Sequence, residues 1–99
     1  MTNQQIVELV KWRGREGVSG QDMREAVDAI LPDLESLPGF VSQTLYRDDE
    51  GLWVDLYVWT NREDAIASND RMAPKESFIR LMELIEPGTV SIGFLNPVL

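Results

Sequence analysis

The stretch LWVDLYVWT, residues 52–60, separates into two faces when read as an extended chain. Leu52, Val54, Leu56 and Val58 fall on one side, and Trp53, Asp55, Tyr57 and Trp59 on the other. A half-buried strand turns one apolar face to the core and one polar face to water, because successive side chains point in opposite directions. Here the second face is not polar. It carries two tryptophans and a tyrosine around one carboxylate, so it also asks for cover, and the fold and assembly follow from what covers each side.

Working outward, FVSQTLYR at 40–47 reads as the preceding strand and DDEG at 48–51 as a polar turn. With Arg47 opposite Leu52, Tyr46 pairs with Trp53, Thr44 with Asp55, Ser42 with Tyr57 and Phe40 with Trp59. Leu45, Gln43 and Val41 then meet Val54, Leu56 and Val58 on the other side, so the two strands agree on their faces. Residues 4–12 read as a first strand, with Ile6, Glu8, Val10 and Trp12 on one face and Val7, Leu9 and Lys11 on the other. Ser19, with Asp22 three residues on, is a helix N-cap. Met23, Ala26, Val27, Ile30, Leu34 and Leu37 follow at helical spacing, and Pro32 within this run predicts a kink or break near Leu31. Asn61 caps a second helical stretch with Glu63 and Asp64 in its first turn. Pro74 interrupts that stretch, Phe78, Leu81, Met82 and Ile85 resume it, and EPG at 86–88 stops it. Residues 89–95 form the last strand.

The order βαββαβ predicts an α+β, ferredoxin-like domain: a four-stranded antiparallel sheet with two helices on one face. The aliphatic strand faces are expected under the helices. That leaves Trp53, Asp55, Tyr57 and Trp59 on the open face, and a monomer rarely exposes such a patch. A homodimer that joins two sheets face to face, with a partly polar cavity enclosed between them, is the leading expectation. A second candidate is an RNA-binding sheet, which stacks bases on exposed aromatics. Its third strand should be basic, whereas this one centres on Asp55, and a net charge of −8 repels phosphate. A metabolite-binding module paired edge to edge is the third.

Composition narrows the chemistry. The 99 residues make one domain, and 43% hydrophobic content suffices for a modest core. There is no Cys and no His, which removes disulfides, thiol nucleophiles, the commonest general base and the commonest zinc and haem ligand. Two carboxylates alone do not make a metal site, so neither a metal nor a cofactor is expected. No apolar run approaches the roughly 20 residues that cross a bilayer, and no basic-then-apolar leader opens the sequence. A soluble cytoplasmic protein is expected.

LPGFVSQTLYRDDEG leading into LWVDLYVWTNREDA resembles the dimeric α/β-barrel superfamily, and within it the antibiotic biosynthesis monooxygenase-like group. The resembling features are the Pro-Gly-Phe entry to the second strand, the third strand ending in Trp59, and the acidic helix start. The likeness runs over nearly the whole chain. It implies a homodimer through the open sheet face and a small-molecule site, with activities in the group that include cofactor-independent oxygenation of phenols. Many members carry a His in the second helix. This chain does not, which sets aside haem degradation and His-dependent isomerase chemistry. Oxygenation that draws its electrons from a substrate anion needs no metal and no His, only binding, deprotonation and charge stabilisation.

The candidate catalytic residues are Trp59 and Asn61 to position a substrate, Tyr57 to donate a hydrogen bond, and Asp55 to take a proton. Glu8 is a second candidate base, since two carboxyls in an apolar site raise one another's proton affinity. Glu8, Trp12, Phe40, Thr44 and Trp53 are expected to line the ligand site. Against each stands a plainer role: Trp59 as packing at a strand end, Asp55 and Glu8 as carboxylates in an intersubunit salt bridge to an arginine of the partner, and the hydroxyls satisfying one another. The competing function is a non-catalytic homodimeric binding or structural protein.

Overall fold

Seven elements follow one another along the computed structural model, which describes residues 5–99. They are β1 (Ile6–Trp12), α1 (Gly20–Glu35), β2 (Phe40–Arg47), β3 (Trp53–Trp59), α2 (Arg62–Met72), α3 (Glu76–Leu84) and β4 (Ser91–Leu95). The strands form one antiparallel sheet in the order β2-β3-β1-β4. This is the α+β, ferredoxin-like architecture expected, with the second helical stretch divided in two. Gln4, the first residue of the expected opening strand, lies outside the described residues. No helix among the described residues is long and apolar enough to cross a membrane.

The local signals act as their chemistry dictates. Ser19 Oγ accepts from the Asp22 backbone N–H at 3.0 Å and opens α1. Asn61 Oδ1 accepts from the Asp64 N–H at 2.8 Å and opens α2. The chain leaves helix at Ala73 and Pro74 and re-enters it after Lys75. Pro32 does not break α1, which runs unbroken for 16 residues. A proline removes the hydrogen bond to the carbonyl four residues back. Here that carbonyl belongs to Asp28, and both residues are exposed, so water can take the freed acceptor.

The faces of the sheet are the reverse of those expected. Asp55 and Trp59 are 0% exposed, and Trp53 and Tyr57 are buried with them. These residues share one core with Met23, Val27, Ile30 and Leu34 of α1. Val54, Leu56 and Val58 are only partly buried. They form the open face together with Val7, Leu9 and Lys11, to which the β1–β3 register pairs them. Size decides the matter: aromatic side chains bury roughly 150–250 Å² each, more than the aliphatic set can, so the tryptophan face gains most from the helical layer. The ammonium of Lys11 then stays in water.

The β2–β3 register also differs. Arg47 pairs with Trp53, Thr44 with Leu56, and Gln43 with Tyr57. The turn is shorter by one residue, 49–51, because Asp48 closes it opposite Leu52: its backbone N–H donates to the Leu52 carbonyl, and its Oδ1 accepts from the N–H groups of Glu50 and Leu52, all at 2.9 Å. An irregularity between Phe40 and Ser42 restores the count, so the expected Phe40–Trp59 pair is present. The shift puts Gln43 and Leu45 on the helix side and moves Thr44 to the exposed outer face.

Gly39 sets the entry to β2. Its φ is +81°, and an added Cβ would lie 2.5 Å from Asp64 Oδ2. Gly17 has a φ of +88° with open space around it. A left-handed backbone costs a non-glycine residue about 1–2 kcal/mol, and only Gly39 adds a clash. Gly39→Ala should therefore lower unfolding free energy by about 3 kcal/mol and Gly17→Ala by about 1 kcal/mol in urea titrations. Equal losses would rule out the Asp64 contact as the reason for the difference.

Candidate functional site

A cavity of about 400 Å³ lies between the sheet and the helices, within the usual range of roughly 300–1,000 Å³ for ligand pockets. The sheet contributes Glu8, Val10, Trp12, Tyr57, Trp59 and Ile92. The helices contribute Ile30 and Leu34 from α1, Ser68, Asn69 and Met72 from α2, and Phe78, Leu81 and Met82 from α3, with Ile85 and Val90 completing the wall. Asn69, Met82, Val90 and Ile92 are exposed and mark the mouth. The walls are mostly apolar. No Lys or Arg lines the cavity.

Glu8 is the carboxyl in its lining. Its backbone sits opposite Tyr57 in the β1–β3 pair, and its side chain is buried. Oε1 accepts from Trp59 Nε1 at 3.0 Å. Among the described residues no buried side-chain polar atom lacks a partner, and Oε2 has no hydrogen bond to any of them. Oε2 therefore keeps some access, and Glu8 is one of the residues that line the cavity. Burial raises the Glu8 pKa from 4.5 to about 7; the Trp59 hydrogen bond opposes this, and the charge of Asp55 adds to it.

Asp55 sits behind this wall. Tyr57 Oη donates to its Oδ2 and Gln43 Nε2 to its Oδ1. Burial lifts its pKa to about 6 against both hydrogen bonds. The Tyr57 hydroxyl is held well above its usual pKa, first by burial and then by the Asp55 charge and hydrogen bond. Trp59 is wedged by Phe40, whose ring meets it edge-on at 5.5 Å.

Of the expected site residues, Glu8, Trp12, Tyr57 and Trp59 line one cavity, and it lies beneath the helices rather than between two sheets. Asp55 and Phe40 support that wall from behind. Trp53 packs under the Arg47 guanidinium, 4.6 Å from the ring centroid, and does not line the cavity. Thr44 is on the opposite face of the sheet. Asn61 is spent as the α2 cap: its Nδ2 also donates to Asp64 Oδ2 at 2.9 Å and to Thr60 Oγ1 at 3.2 Å. Asn69 was not expected. Its signal was a polar residue four positions after Ala65 and three before Met72, in a stripe that is otherwise buried.

The fold matches solved structures over nearly the full chain. SnoaB, a cofactor-independent oxygenase from Streptomyces nogalater, is 16% identical, with 97% of this chain and 95% of that one covered and a TM-score of 0.75. A candidate antibiotic biosynthesis monooxygenase from Bordetella bronchiseptica is 16% identical, with 97% and 99% covered and a TM-score of 0.81. Another from Chloroflexus aurantiacus is 18% identical, with 95% and 93% covered and a TM-score of 0.67. The chain thus has the fold of the antibiotic biosynthesis monooxygenase-like group. No family model matches the sequence, and no curated protein matches it.

The two raised carboxyls make stability depend on pH. The unfolded chain releases these protons near 4.5 and 3.8, the folded chain near about 7 and about 6. Between those values the folded state holds more protons, so stability falls as pH rises through this window. At roughly 1.4 kcal/mol per pH unit, Glu8 alone costs the folded state about 3 kcal/mol above pH 7. Glu8→Gln keeps an acceptor for Trp59 and removes the charge. It should gain up to about 3 kcal/mol over the parent at pH 8 and show a flatter profile between pH 5 and 8. A variant with the parent's pH profile would place the linkage elsewhere.

Proposed function

We propose that the chain binds a flat aromatic molecule in the cavity beneath its helices and oxygenates it without a cofactor, the substrate being a phenol or quinol. The observation that carries this reading is the placement of Glu8: an uncompensated carboxyl, with one oxygen open to an apolar, aromatic-walled cavity and a pKa of about 7. A general base works best with its pKa near the operating pH. Glu8 takes the hydroxyl proton, and the resulting anion supplies electrons to O2. Trp59 orients the carboxyl through its indole N–H. Trp12 and Tyr57 wall the ring. The fold it shares with SnoaB supports the reading, since that protein is a cofactor-independent oxygenase.

The protein acts as a homodimer through its open sheet face. Val7, Leu9, Val54, Leu56 and Val58 make a half-buried aliphatic surface with Lys11 as its charged member on these two strands. Such a surface can be covered by the same face of a second copy in an isologous interface.

Purified protein should consume O2 with hydroxylated polycyclic aromatics, and its kcat/KM should rise with pH to a plateau above about 7 as Glu8 ionises. Glu8→Gln should lower kcat/KM by about 10²–10⁴-fold, the usual contribution of a positioned base. Saturable binding with no O2 uptake from any phenol would favour the binding-protein alternative. Leu56→Glu, at the centre of the open face, should convert a dimer to a folded monomer in analytical ultracentrifugation. An unchanged mass would remove that face as the interface.

A further inference from the structure

The hydrogen-bond donors around the cavity are nearly all spent on partners within the protein. Trp59 Nε1 donates to Glu8 at 3.0 Å, and Trp12 Nε1 to Met23 Sδ at 3.4 Å. Tyr57 Oη donates to Asp55, and Ser68 Oγ to the Ala65 carbonyl at 2.6 Å. With Glu8 ionised, what these lining residues have left to offer are acceptors: Glu8 Oε2 and the remaining lone pairs of the Tyr57 and Ser68 oxygens. The donor with no hydrogen bond among the described residues is the Asn69 amide, which stands at the exposed mouth. No Lys or Arg lines the walls.

We infer that this cavity selects its ligand by a hydrogen-bond donor at the deep end, admitting an uncharged aromatic with a hydroxyl for Glu8 and rejecting one that brings a carbonyl, ether or carboxylate there. A buried acceptor facing another acceptor loses its hydrogen bonds and gains none, and sites built to pair a substrate hydroxyl reject analogues that lack it. A carboxylate meets the added penalty of a second negative charge beside Glu8, with Asp55 behind it and no Lys or Arg among the described lining residues to offset either. A carbonyl, if the ligand has one, is placed at the mouth, within reach of Asn69. The inference rests on the proposed site but not on its oxygen chemistry.

Three ligands of one ring system separate these terms: 2-naphthol, 2-methoxynaphthalene and 2-naphthoate, titrated calorimetrically at pH 8. The naphthol should bind at least about tenfold tighter than its methyl ether, with the carboxylate weaker still. Glu8→Gln offers an amide donor in place of the negative charge, and should narrow the gap by weakening the naphthol and strengthening the naphthoate. Asn69→Ala should leave the ranking intact, because these ligands carry no distal carbonyl. An ether that binds as well as the naphthol, a naphthoate that binds tighter, or no binding of naphthol by folded protein overturns the inference. The expected ranking without O2 uptake from any phenol upholds donor selection and removes the oxygenase reading. O2 uptake with no ranking does the reverse.

Discussion

Glu8 is carried beneath three helices, and among the described residues it has one indole N–H as its hydrogen-bond partner and no cation in the cavity lining. An ionised carboxylate in that position is costly unless it is paired. The folded protein lowers the cost by keeping the proton up to about pH 7. Much of the surrounding structure is needed to hold that arrangement. Trp59 must stand with its ring buried and its Nε1 turned toward β1, and Phe40 fixes it edge-on from the neighbouring strand. Phe40 reaches Trp59 because the irregularity in β2 offsets the one-residue register shift set at Asp48.

The two buried carboxyls are close in sequence register yet have different environments. Asp55 is two pairs along from Glu8, opposite Val10, and both its oxygens accept hydrogen bonds. It does not line the cavity. Glu8 keeps one oxygen open. Environments that divide two carboxyls in this way give them separate tasks: Asp55 holds the Tyr57 hydroxyl and adds negative potential, and Glu8 faces whatever enters. The same hydrogen bonds that hold the wall together also use up its donors, so the rigidity of the site and its preference for a donor ligand have one origin.

The order of elements, both helix caps and the interruption near Pro74 were legible because each rests on local chemistry: a side-chain oxygen at an N-cap, a missing amide at a proline. The pairing of Glu8, Trp12, Tyr57 and Trp59 was legible from strand alternation alone. The side of the sheet that the helices cover was not. Both faces of β3 are apolar enough to be buried, and each sheet face carries charge, Lys11 on one and Glu8 and Asp55 on the other. Pattern could not rank them; the bulk of the tryptophans and the partners available to their N–H groups did. The error in the β2–β3 register arose from counting Asp48 as a turn residue when its side chain makes it the closing position. That single step misplaced Thr44 and hid Gln43, the residue that satisfies Asp55. Asn61 is the α2 cap that its place in the sequence indicated, and it does not line the cavity.

The two prolines show how the helical layer makes room for a ligand. Pro32 leaves α1 whole because the carbonyl it frees faces water, and the continuous helix sets Ile30 and Leu34, one on each side of the proline, into the cavity wall. Pro74 falls where α2 has just ended, and the Lys75 N–H bonds back to the Met72 carbonyl at 2.9 Å to close that end. The opposite wall is therefore two short helices instead of one long one, and Met72, Phe78 and Met82 come from either side of their junction. Methionine is unbranched and adapts to irregular space, so this wall can follow a ligand's outline, while α1 and the tryptophan strands hold the other side fixed. A rigid floor that presents an acceptor and a compliant roof that presents methyl and thioether groups together suit one class of guest: a flat ring with a single polar edge.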